Sequence, residues 1–178
     1  LDEQGFFVVS AHREENVDSP DRLRALLRCL DAVAETWALP VLVSTHPRTR
    51  RRWEALSDVD SHPLVRSHEP FGYLDYNRLQ LGAACVLSDS GTVSEEATIL
   101  GFPAVTLRSS IERPEALDTG AITLTDLDPE AVVRGVRFAM SRGPGERPSD
   151  YQIANTSERV VNLILSTAFQ HKQWSGLR

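Results

Sequence analysis

The chain has 178 residues, a formal net charge of −6 and 41% hydrophobic residues, enough for one domain with a real core. Its acidic balance argues against a general nucleic-acid or polyanion surface, and Lys172 is the only lysine, so nearly all positive charge is arginine, the better residue for phosphate forks. No segment approaches a membrane span, no signal peptide is visible, and Cys29 and Cys85 read as small core residues in a reducing compartment, so a cytoplasmic protein is expected.

The elements alternate along the chain. Phe6–Ser10 reads as a strand and Arg22–Trp37 as an amphipathic helix. Pro40–Thr45 is a second strand, followed by a short helix over Arg48–Leu56. Leu64–Ser67 is a third strand and Asp75–Ala84 a helix. A fourth strand ends at Ser88, and Val93–Leu100 is helical. Ala104–Leu107 and Ala121–Leu124 are two further strands, with a helical turn at Pro114–Asp118 between them. Asp128 opens a helix to about Met140, capping it with Pro129 at the first position. Residues 142–148 form a loop, and Asn155–Phe169 is a closing helix with a tail to residue 178. Short, continuously apolar strands alternating with helices imply an α/β fold, a Rossmann-like parallel sheet covered on both faces.

Ligands bind beyond the carboxyl ends of such strands, and polar residues collect there. His12 and Arg13 follow the first strand, His46 the second, Ser90 and Gly91 the fourth, and Arg108–Arg113 the fifth. The fourth junction is the most specific. Ser88-Asp89-Ser90-Gly91-Thr92 forms a tight turn into a helix, which gathers backbone N–H groups and a positive dipole end where a phosphate would bind. Of Glu95 and Glu96, one turn into that helix, only one can face the turn. A carboxylate there is compatible with a diphosphate if it accepts from ribose hydroxyls, so the local reading is a nucleoside diphosphate.

Blander readings stand beside these. His12 could be a structural strand-end histidine, and Ser90 merely a helix cap. Glu14 and Glu15 look like helix-entry charge. Arg48, Arg50, Arg51 and Arg52 look like a solvated helix face, with Arg48 the one pocket candidate. Tyr73, Tyr76 and Leu79 have helical spacing and suit a core.

Five motifs carry a resemblance: residues 11–16 (Ala-His-Arg-Glu-Glu-Asn), Thr45-His46-Pro47, residues 69–76, Ser88–Ala97, and Glu112-Arg113-Pro114-Glu115. In order and spacing the chain resembles the non-hydrolysing UDP-N-acetylglucosamine 2-epimerase family. The resemblance implies the carboxyl-terminal, UDP-binding half of a two-domain glycosyltransferase-B architecture, spanning residues 1–178. The amino-terminal half, which carries acidic groups for proton transfer at C2, is absent. It implies a UDP-sugar substrate, a homodimer when full length, and neither metal nor other cofactor.

The resemblance also assigns roles. Ser90, Gly91, Thr92 and Arg113 would hold the diphosphate, and Glu96 the ribose. Phe71 and Tyr76 would flank the uracil, and His12 would assist departure of the leaving group. Arg13, His46 and Glu95 are further candidates. Thr92 stands where the family commonly has a second glycine, adding a hydroxyl and removing backbone freedom. The motif combination is similar to a sub-branch that makes capsule or O-antigen precursors of the UDP-N-acetyl-L-fucosamine or diacetamido-sugar type. A glycosyltransferase of the same architecture, a non-catalytic UDP-sugar sensor and a hydrolysing epimerase remain as alternatives. Val160, Val161, Leu163, Ile164, Leu165 and Phe169 exceed what a free surface helix carries, so part of the last helix, with Trp174, is expected to lack its partner.

Overall fold

A computed structural model describes residues 2–56, 61–112, 114–142 and 146–176. Six strands, β1 (Phe7–Ser10), β2 (Val41–Ser44), β3 (Val65–His68), β4 (Cys85–Ser88), β5 (Ala104–Thr106) and β6 (Thr123–Leu124), form one parallel sheet in the order β3-β2-β1-β4-β5-β6. The order runs outward in both directions from β1 and β4. The junction of β1 with β4 is therefore the point where connections diverge and ligands find a crevice.

Alternation along the strands divides the core. Phe7 and Val9 point to one face and join α2 (Pro20–Trp37) and α7 (Pro129–Arg142), whose Leu30, Val33, Val132 and Val136 are fully buried. Phe6 and Val8 point to the other and meet Val93 and Ala97 of α5 (Val93–Leu100), with Tyr76 and Leu79 of α4 (Tyr73–Gly82) packed alongside. Cys29 and Cys85 are both buried and unpaired, and burial pushes each thiol up to about 12. They are core residues.

The helix starts follow local chemistry. Helix α2 begins at Pro20, two residues before the sequence expectation, because the Ser19 hydroxyl caps it and Pro20 supplies the first position. Asp128 caps α7 by accepting from the Ala131 N–H at 2.7 Å. The strand expected over Ala121–Leu124 shortens to β6. Ala121 and Ile122 are buried, but the Ile122 N–H goes to the Ala116 carbonyl of α6 (Glu115–Asp118) and not to the sheet. Tyr73, expected in the core, is the first residue of α4 and lies 81% exposed. Two short helices were not evident from periodicity: α1 (Glu14–Val17), with Glu14 and Glu15 in its first turn as expected of entry charge, and α9 (His171–Trp174). Helix α3 (Pro47–Glu54) follows β2.

Residues from Ser149 form a second compact unit, with α8 (Thr156–Thr167) and α9. Within it Val161, Ile164 and Leu165 are exposed. Of the loop expected at 142–148, residues 143–145 lie outside the described set.

Ala38 (φ 52°) after α2 and Gly101 (φ 78°) after α5 both adopt the left-handed conformation. Glycine enters that region freely, whereas a Cβ costs about 1–2 kcal/mol there. Ala38→Gly is therefore expected to raise stability by about 1 kcal/mol and Gly101→Ala to lower it by a similar amount. Urea denaturation reads both. Equal signs for the two variants would refute the conformational argument.

Candidate functional site

The parallel register places Ser10 beside both Ser44 and Ser88, and Ser88 beside Thr106. A polar row thus ends the four central strands, and the loops that follow carry the site. The apolar runs of the strands stop here because the backbone leaves the core.

Asp89, immediately after β4, is fully buried. Its carboxylate accepts from the His12 N–H at 3.1 and 3.2 Å, the Arg13 N–H at 3.0 Å and Asn16 Nδ2 at 3.0 Å. The loop after β1 is thereby tied across the switch point to the end of β4. Asn16 also donates to the Leu107 carbonyl at 3.1 Å, and Arg22 donates to Asn16 Oδ1 and to Asp126, each at 2.8 Å. One polar chain so links the ends of β1, β4, β5 and β6. Sequence reasoning quoted Asp89 and Asn16 inside their motifs without assigning them a role. A carboxylate separated by Ser88 alone from the apolar run Cys85–Leu87 was the available signal.

The His12 side chain is 53% exposed, and its Nδ1 lies 3.7 Å from Asp89 Oδ1, beyond hydrogen-bond range. It faces an open cavity of about 420 Å³ at the ends of β1 and β2, shared with Ser10, Glu14, Ser44, His46 and Arg48. His46 caps α3, its Nδ1 accepting from the Arg48 N–H at 3.3 Å, so in the neutral ring the proton sits on Nε2. Arg48 lines the cavity, as expected, but its guanidinium is bonded to Glu14 at 3.2 Å and to Asp18. Arg52, expected on a solvated face, instead donates to the Val17 carbonyl at 3.0 Å and pairs with Asp18 at 2.6 Å. Arg13 reaches toward Glu15 and Glu112, at 3.9 and 3.8 Å.

On the β4 side lies the turn Ser90-Gly91-Thr92 at the start of α5. Thr92, not Ser90, is the capping position. The Ser90 hydroxyl accepts from the Thr92 N–H at 3.3 Å and contacts the Thr92 hydroxyl at 3.0 Å. Of the two candidate carboxylates, Glu96 is bonded into the turn, accepting from Thr92 Oγ1 at 2.8 Å and from Gln80 Nε2 at 2.7 Å. Gln80 is a participant the sequence did not suggest.

Tyr76 is mostly buried. Burial is the main reason its hydroxyl is pushed up to about 12; Glu96 and Asp89 add to the shift, and a hydrogen bond with the Ser10 side chain opposes it. The phenol therefore sits among the site's polar groups. Phe71 lies against His68, ring centroids 5.5 Å apart, before the first turn of α4. The structure thus brings His12 and His46 to the cavity at the ends of β1 and β2, and Ser90, Thr92 and Glu96 together in the turn of α5 with Tyr76 near Glu96, while Arg13 reaches toward Glu112 after β5. Arg113 lies outside the described residues.

The loop after β5 is held by Arg108, 2% exposed, whose guanidinium forks onto Glu112 at 2.7 and 2.5 Å. That hydrogen-bonded fork holds the Glu112 carboxyl down at about 2. Among the described residues no cluster of three or more His, Cys, Asp or Glu could hold a metal ion, and no helix is long and apolar enough to cross a membrane.

The profile of the family described as UDP-N-acetylglucosamine 2-epimerase matches residues 1–165. The UDP-N-acetylglucosamine 2-epimerase of Methanocaldococcus jannaschii is 32% identical over 162 residues, covering 89% of this chain and 44% of that protein. Its crystal structure in complex with UDP-GlcNAc and UDP superposes with a TM-score of 0.80 at 31% identity, over 90% of this chain and 45% of that one. The UDP-2,3-diacetamido-2,3-dideoxy-D-glucuronate 2-epimerase of Pseudomonas aeruginosa is 31% identical, with 91% of this chain and 45% of that protein covered. The chain therefore belongs to the UDP-N-acetylglucosamine 2-epimerase family, and it spans just under half the length of these relatives.

Two expectations concern the site's framework. Asp89→Ala leaves three donors without their acceptor, the buried Asn16 amide among them, and should cost on the order of 3 kcal/mol in urea denaturation; a loss below about 1 kcal/mol would mean the tie is dispensable. Glu112 stays ionised in the fold down to about pH 2 but protonates near 4.5 in the unfolded chain. Its folded value is the lower one, so its contribution is complete above pH 4.5 and is lost as pH falls through 2. The carboxylate is exposed and screened, so the effect is small. Unfolding midpoints should fall less steeply with acid in Glu112→Gln than in the wild type, and parallel curves would count against the fork.

Proposed function

We propose that this member of the family is the UDP-binding half of a UDP-2-acetamido-sugar 2-epimerase, which inverts C2 by eliminating UDP and adding it back. One observation carries the reading. A Ser-Gly-Thr turn opens α5 at the sheet's switch point, with the Glu96 carboxylate bonded into it, and Asp89 anchors the His12 backbone across the same junction. Phosphates on the turn, ribose on Glu96 and the leaving oxygen toward His12 satisfy each group by its own chemistry.

The balanced step begins when a base takes the C2 proton. That electron pair forms a C1=C2 bond, and the C1–O bond breaks to release UDP. Addition of UDP to C1 and of a proton to the opposite face of C2 completes inversion. This half serves the departing diphosphate. The start of α5 at the Ser90–Thr92 turn and the expected fork of Arg113 would meet the charge that develops on it, and His12 would hydrogen-bond or protonate it. As read, the charge is met by protein donors, so the proposal includes no metal or cofactor. The bases at C2 belong to an amino-terminal half that the relatives' length supports. The relatives named for UDP-N-acetylglucosamine and for a UDP-diacetamido sugar support a UDP-2-acetamido-sugar substrate, within which the capsule or O-antigen type is our narrower choice. A homodimer and a cytoplasmic setting, consistent with two unpaired buried thiols, complete the reading.

The test uses the full-length protein with a UDP-2-acetamido sugar in deuterated water and no acceptor. The C2 epimer should form with deuterium at C2, and His12→Asn should lower turnover far more than UDP affinity. UDP release that requires an acceptor would identify a glycosyltransferase instead. A loss confined to affinity would make His12 a binding residue.

A further inference from the structure

Glu96 is held before any ligand arrives. Its Oε1 accepts from the Thr92 hydroxyl at 2.8 Å and its Oε2 from the Gln80 amide at 2.7 Å. A carboxylate has about four acceptor sites, so each oxygen keeps one to offer. Two adjacent acceptors on one rigid carboxylate match two neighbouring hydroxyls, the 2′,3′-diol of a ribose.

The two holding residues come from different elements. Thr92 spends its single hydroxyl hydrogen on Glu96, so in its 3.0 Å contact with Ser90 the Ser90 hydroxyl is the donor. The phosphate turn is thus connected to the ribose carboxylate by a directed chain, Ser90 to Thr92 to Glu96. Gln80 closes the other side from α4, one turn beyond Tyr76. Its orientation is fixed by chemistry, because a carboxylate accepts only the amide nitrogen's hydrogens.

Gln80 is 1% exposed, and its Oε1 has no hydrogen-bond partner among the described residues. A leucine there would fill similar space and leave nothing unpaired, and an unpaired buried acceptor destabilises the fold. Packing therefore does not account for a glutamine at this position. Its bond to Glu96 does.

We propose that Gln80 and Thr92 are positioning residues that fix Glu96 for a ribose 2′,3′-diol, so that the site selects ribonucleotides over 2′-deoxyribonucleotides. The proposal rests on the reading of this site as a UDP site. A loose carboxylate could bond whichever hydroxyl is present, whereas one held at both oxygens loses a bond when the 2′-hydroxyl is missing.

Calorimetric titration of the protein with UDP and with 2′-deoxy-UDP tests it. The wild type should prefer UDP by about tenfold, the factor that one modest hydrogen bond supplies. In Gln80→Leu and in Thr92→Gly that preference should shrink to about twofold or threefold, mainly through weaker UDP binding, and Thr92→Ser should restore it. Thr92 is exposed, so its variants keep the test available should Gln80→Leu fail to fold. A preference unchanged in the variants, with both nucleotides weakened alike, would overturn the positioning role while leaving the UDP site intact. No UDP binding by the folded wild type would overturn the site reading and this proposal together.

Discussion

The site depends on one buried carboxylate. Asp89 is removed from water entirely and offers its oxygens to the backbone N–H groups of His12 and Arg13 and to the Asn16 amide. A carboxylate buried without such partners would destabilise the fold, because its polar oxygens would lose water and gain nothing. With them it becomes a fixed clamp between β1 and β4, the two strands at which the sheet's connectivity reverses. The strands alone cannot supply this. Their ladder hydrogen bonds end at Ser10 and Ser88, and the loops beyond need their own means of registration.

From that clamp the order spreads outward. Asn16 carries it to the Leu107 carbonyl, and Arg22 carries it to Asp126 beyond β6. The Arg108–Glu112 fork shapes the loop after β5 from beneath. The ends of four parallel strands thus share one network, in which the bonds to Asp89 and from Arg22 are charge-assisted and individually stronger than neutral ones. A ligand that must be met by several loops at once benefits, because rigid donors need little reorganisation when charge develops.

The two sides of the clamp differ in character. The cavity beside His12 is ringed by paired charges, with Arg48 committed to Glu14 and Asp18 and His46 committed through Nδ1 to its own helix. The opposite side presents the α5 turn, whose hydroxyls and carboxylate are bonded to one another in series. An anion is attracted to the helix start by the dipole and N–H groups, and the acidic Glu96 is tolerated there because its oxygens are occupied by donors. The same arrangement explains why only one of two adjacent glutamates can serve: Glu95 and Glu96 lie about 100° apart on the helix, a consequence of 3.6 residues per turn.

The sequence by itself determined the class of fold, the order of nearly all elements and the strand ends at which function resides. Runs such as Phe6–Val9 and Cys85–Leu87 can be stable only when buried on both faces, and that forces a parallel sheet with helices around it. The Ser90 turn was legible for the same local reason: small residues between an apolar strand and a helix leave N–H groups directed at one point. Contacts between residues far apart in the chain were not legible. Asp89 meets Asn16 across 73 positions, Gln80 meets Glu96 across 16, and Arg52 leaves its expected surface face for Val17 and Asp18. Periodicity reports which side of an element is buried, but the partner of a buried polar group is chosen by the packing of separate elements. That choice, which turns a list of polar strand ends into a site, was made only by the tertiary structure.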